Sequence, residues 1–113
     1  MKPINGWTKQ GIIDHIRNNF KGKSVSGPDK VCCYRGDNGA KCAVGMFIPD
    51  DKYSKSMENT VVSSLLKLHP TLASSMPLKL LGMSTLQGIH DYEHENNILE
   101  CMVKWIQTNV EEV

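Results

Sequence analysis

Apolar residues recur at helical spacing in most of the chain and alternate in one stretch. Ile12, Ile13, Ile16 and Phe20 share one face of a helix whose other face carries Lys9, Asp14, Arg17 and Asn18. Thr8 is placed to cap it, Trp7 to fold back on its first turns, and Gly22 to stop it. His15 borders that apolar face and receives no role. A second helix is predicted from near Ser56 to His69 on Met57, Val61, Leu65, Leu66 and Leu68, closed by Pro70. Residues 71–82 read as one or two short helical turns broken by Pro77, with Leu72, Met76, Leu78, Leu80 and Leu81 buried. Ser84-Thr85-Leu86-Gln87 has capping-box form and starts a helix through about Tyr92. The last helix, roughly Glu95 to Val110, presents Ile98, Leu99, Met102, Trp105, Ile106 and Val110.

The stretch from Lys30 to Glu58 organises the rest. Asn38-Gly39 favours a two-residue turn with positive φ at both positions, joining two short strands. That turn sets Asp37 against Ala40, Arg35 against Cys42, Cys33 against Val44 and Val31 against Met46. Val31, Cys33, Arg35, Cys42, Val44 and Met46 then share one side, with Cys32, Tyr34, Ala43, Gly45 and Phe47 on the other. Pro49 ends the second strand. A two-stranded ribbon is marginal alone, so helices must cover it, and a third strand is compatible with the pattern. The predicted fold is one helix-rich α+β domain over residues 1–113, a β-hairpin packed by four to five helices.

Composition narrows the class. Apolar content of 40% and charged content of 22% are those of an ordinary globular domain. Thirteen lysines and arginines against 12 acids give a net charge of +1, which offers no general pull toward nucleic acid or anionic membrane. No apolar run approaches a membrane span, and Met1 to Trp7 has no signal-type apolar block, so the chain reads as cytoplasmic. In that compartment the four cysteines read as thiols rather than disulfides.

Three sets of residues could carry chemistry. Cys42 with His90 and Asp91 has the residue types of a thiol hydrolase, and Arg35, expected across from Cys42, would favour the thiolate. Cys33 and Cys42, diagonal at ~7–8 Å on one ribbon side, with His90 and His94 spaced i, i+4, could form a zinc site. Tyr34, Arg35, Asp37, Asn38, Lys41 and Tyr53 at the ribbon tip and flanks form a contact patch rich in residue types favoured at protein interfaces. Small buried thiols and solvated histidines account for the first two sets better than either chemistry, and the balance falls against an enzyme. No cofactor is implied, and self-association through the last helix around Trp105 is a further option.

Cys33-x-Arg35, Gly39-x-Lys41-Cys42-Ala43-x-Gly45-x-x-Ile48-Pro49-Asp50-x-x-Tyr53, Met57-Glu58 and Leu86-Gln87-x-x-His90-Asp91 together resemble a group of small uncharacterised proteins of tailed bacteriophages and bacteria. The likeness spans about Val31 to Trp105. It implies a phage or prophage setting, and it brings no activity, substrate or cofactor. The resulting expectation is an accessory protein of the host-cell cytoplasm that acts by protein–protein binding. Its partner would be a host or defence protein that it inhibits or modulates.

Overall fold

The computed structural model describes residues 1–28 and 31–112, with the backbone alone at Val31 and Cys32. Among the described residues five α-helices carry the fold: α1 (Lys9–Asn19), α2 (Val62–Leu68), α3 (Pro70–Ala73), α4 (Leu80–Tyr92) and α5 (Ile98–Asn109). Single 3-10 turns lie at Gly45–Phe47, Asp50–Lys52, Lys55–Met57 and Glu95–Asn97. Helix α5 packs against both α1 and α4, and α2 packs against α3 and α4. Their inward faces form one core cluster that includes Ile12, Ile16, Leu65, Leu72, Met83, Leu86, Ile98, Met102 and Ile106. Full burial of each such aliphatic side chain contributes on the order of 2 kcal/mol.

The first and last helices follow the apolar periodicity closely. Thr8 Oγ1 accepts from Gly11 N at 3.0 Å, and Ile12, Ile13 and Ile16 are buried. The helix closes at Phe20, two residues before Gly22 takes its positive φ of 100°. His15 does more than border the core: its Nε2 lies 2.6 Å from the Met46 carbonyl, and its ring stacks on Phe47 with Trp7 edge-on. In the middle of the chain the phase differs from expectation. Val61, Leu68 and Leu81 are exposed and Leu80 partly so, whereas Val62 is buried.

The α+β architecture built on a hairpin is overturned. Among the described residues, extended pairing is limited to Val25–Ser26 (β1) against Val31–Cys32 (β2), antiparallel with Val25 opposite Cys32, and to one bridge between Arg35 and Lys41. Three physical features replace the ribbon. First, the segment expected to pair forward with residues 44–46 pairs backward with β1 instead, and Cys33 N extends this by donating to Ser24 O at 3.2 Å. Second, Asn38-Gly39 belongs to a three-residue turn: Gly39 N donates to Gly36 O, Gly36 N to Ala40 O, and Gly39 alone takes the left-handed φ, 83°. A turn closed by a left-handed glycine is the next commonest short connection after the two-residue forms. It shifts the register by one, so Tyr34 rather than Arg35 stands opposite Cys42.

Third, the chain coils after Cys42 instead of extending. Met46 N donates to Cys42 O, and Gly45–Phe47 is a 3-10 turn. Every residue from Cys42 to Ile48 is buried. A strand with one covered face would have alternated, so this run is a buried helical turn that apolar content alone does not distinguish from a strand. Gly45 makes the turn possible by lying directly on the Tyr34 carbonyl, where a Cβ would collide with the oxygen. The assignment of the Val31 and Cys32 side chains to opposite ribbon faces, and of Lys30 to the first strand, lies outside the described residues.

Candidate functional site

The Tyr34–Cys42 corner, residues 58–62 and α4 enclose a cleft of about 390 Å³. Its floor is the Cys42 thiol, whose Sγ accepts from Gly45 N at 3.3 Å, and Tyr34, which is 6% exposed. One wall is α4. There Gln87 accepts from Val44 N at 3.0 Å through Oε1 and donates to Asp91 Oδ1 at 2.9 Å through Nε2, tying the coiled turn to the helix. His90 Nδ1 lies 3.3 Å from the same Asp91 oxygen. Its ring is buried edge-on to Phe20, and its Nε2 has no hydrogen-bond partner among the described residues.

The opposite wall is a strap held by Glu58. Oε1 accepts from Tyr34 N at 2.8 Å, while Oε2 accepts from Arg35 N at 3.1 Å and from the Tyr53 hydroxyl at 2.5 Å. The Tyr34 hydroxyl donates in a short hydrogen bond to Thr60 O. Asn59 turns the strap with φ 62°, a left-handed conformation that asparagine tolerates better than most residues. Val61 and Tyr92 stand at the mouth, 68% and 92% exposed.

Gly88 is the gap in the α4 wall. It sits inside the helix, and a Cβ added there would meet nothing within 4 Å. A glycine in a helix interior lowers stability relative to alanine by ~0.5–1 kcal/mol. Gly88→Ala is therefore expected to raise the melting temperature by roughly 2–8 °C, measurable by thermal denaturation followed by circular dichroism.

In the contact patch read from the sequence, Tyr34 is buried, Arg35, Lys41 and Tyr53 are half-buried, and Asp37 and Asn38 are exposed. Arg35 Nη2 donates to Ile48 O at 2.7 Å and pairs with Asp50 at 2.8 Å, and its guanidinium lies over the Tyr53 ring. Asp37 accepts from Gly27 N, Asn38 donates to Lys23 O, and Lys41 lies 3.8 Å from Asp50. Of that patch, Tyr34 reaches the cleft. Of the proposed triad, Cys42 and Asp91 reach it, and His90 is directed into the core behind α4. The expected pairing of Arg35 with Cys42 gives way to pairing with Lys41, which removes the cation that would have favoured a thiolate. The four proposed zinc ligands are not assembled. His94 is exposed and accepts from Asn96 N, and among the described residues no group of three or more Cys, His, Asp and Glu side chains could hold a metal ion.

Burial pushes the Cys42 thiol up to about 12, and the Asp91 and Glu58 carboxylates add to the rise against the lowering effect of Gly45 N–H and Gln87. Burial likewise raises Tyr34, with contributions from Cys42, Glu58 and Asp91. A thiol of pKa ~9 when unfolded and about 12 when folded gives stability that is whole below pH 9 and lost as the pH climbs toward 12, because the unfolded chain ionises first. Unfolding free energy from urea titrations is expected to fall steeply above pH 9. Cys42→Ala should flatten that fall, and an identical alkaline slope in the variant would refute the assignment.

No protein-family model, curated protein or solved structure matches this chain. No helix among the described residues is long and apolar enough to cross a membrane. No site reading of the sequence included Glu58, Asn59, Thr60, Val61, Val62, Ser84, Gln87, Gly88 or Tyr92 of the cleft lining. Gly88 alone carried a local signal, as a glycine inside an otherwise helical run.

Proposed function

We propose that the chain acts by binding a protein, with the cleft between residues 58–62 and α4 as its contact site. The observation that supports this is an open cavity bordered by large exposed apolar side chains. Val61 and Tyr92 stand at its mouth, and Leu81, 73% exposed, continues the α4 stripe formed by Ser84, Gly88 and Tyr92. Apolar residues gathered around one opening mark recognition surfaces more often than the same residues scattered singly. In the phage setting that the sequence block implies, the partner is a host or defence protein that this chain inhibits or modulates in the host cytoplasm. The thiol-hydrolase reading has weaker physical support, because a thiol with its pKa near 12 supplies little nucleophile at neutral pH.

The test is positional. A photo-crosslinking residue at Tyr92 should yield a discrete adduct with one host protein, and the same residue at exposed Lys104 on α5 should not. Equal labelling from both positions would contradict the assignment of the site.

A further inference from the structure

Resting on the reading of this cleft as a protein contact site, we infer that it is built to take the side chain of a basic residue, an arginine or lysine presented by the partner on an apolar segment. Among the described residues, the lining carries two carboxylates, Glu58 and Asp91, and no lysine or arginine. Their availability differs. Glu58 already accepts from Tyr34 N, Arg35 N and the Tyr53 hydroxyl, so it contributes charge more than a new contact.

Asp91 is positioned to make the contact. Gln87 and His90 hold its Oδ1, Oδ2 has no hydrogen-bond partner among the described residues, and the side chain is 32% exposed. The nearby cation, Lys23, donates at 3.2 Å to the main-chain oxygen of Asp91 rather than to its carboxylate. The carboxylate is thus oriented from within the fold and left open toward the cavity.

The cavity also selects the form of the cation. Among the described residues no cluster of three ligating side chains lines it, an arrangement that does not suit a bare metal ion. Cys42, Tyr34, Val62 and the side-chain-free surface at Gly88 offer apolar walls for a stem that ends in a hydrogen-bonding cation. Long basic side chains have that construction, an aliphatic stem with a charged head. The exposed Val61 and Tyr92 at the mouth lie where the flanking residues of a bound segment would pass. Charge complementarity of this kind sets which partner is accepted.

The experiment is an NMR titration of the isotopically labelled chain with four probes. Three are short peptides of one apolar sequence with arginine, norleucine or glutamate at the centre, and the fourth is acetylated arginine amide alone. The arginine peptide should shift the amides of Tyr34, Gln87, Gly88 and Asp91 and bind at least about tenfold more tightly than the other three probes. Asp91→Asn should abolish that preference, and Gly88→Leu, which fills the opening without touching a carboxylate, should abolish binding in a chain that remains folded. Equal affinity for the norleucine or glutamate peptide would overturn the basic specificity while leaving the contact site standing. Equal affinity for the amide alone would overturn the protein partner in favour of a small cationic ligand. No shift at the cleft with any probe would overturn both readings.

Discussion

Gly45→Ala is expected to destabilise the fold by about 3 kcal/mol or more, because overpacking against a fixed main-chain group leaves no side chain free to yield. The methyl group would enter the space of the Tyr34 carbonyl, which also accepts from Cys42 N. Relief requires separating the Tyr34–Cys42 pair or unwinding the Gly45–Phe47 turn. Either movement disturbs Met46 and Phe47, the residues that His15 holds against α1. The melting temperature should fall by roughly 10–20 °C. A drop of a degree or two would mean that this approach is looser than the structure shows.

Glu58→Ala ranks next, with a loss of about 2–4 kcal/mol expected from chemical denaturation. The Tyr53 hydroxyl can rotate toward water once the carboxylate is gone, so its bond counts for less. Most of the loss comes from the main-chain N–H groups of Tyr34 and Arg35, which lose their acceptor in a part-buried position. Glu58→Gln separates charge from geometry. Its carbonyl can serve one N–H, but its amide group then faces a second donor, so an intermediate loss is expected. Equal stability of all three proteins would show that water replaces the carboxylate freely and that the strap is not anchored there.

The sequence was most legible where structure is set locally. Thr8 followed by Ile12, Ile13 and Ile16 specified α1 because cap and apolar face lie within four turns of one another. The middle of the chain was less so. Ser84-x-x-Gln87 has the form of a helix start, yet α4 begins at Leu80, and Gln87 spends its amide on Val44 and Asp91, partners remote from a cap. Asn38-Gly39 correctly marked a turn, but local residues are compatible with both two- and three-residue forms. The choice follows from Val31 and Cys32 pairing backward with β1.

The candidate site divides in the same way. Tyr34, Cys42 and Asp91 stood out by chemical type, and all three line the cleft. Val61 and Tyr92 did not, because helical periodicity assigned Val61 to the core and ended a helix at Tyr92 without placing its ring. Their exposure follows from how α2 and α4 lie on each other, which puts Val62 and Leu65 inward and Val61 and Leu68 outward. Arg35 illustrates the reverse case. Its residue type favours interfaces, but here Ile48 O, Asp50 and Tyr53 engage it within the fold.

The most direct trial compares photo-adduct yield from position 92 in the parent chain and in a folded Gly88→Leu chain. With the hollow beside α4 plugged by an isobutyl group, the adduct should disappear while the melting curve stays as cooperative as before. An undiminished adduct from the plugged chain would mean that partners dock elsewhere and that the opening under Val61 is an unused hollow.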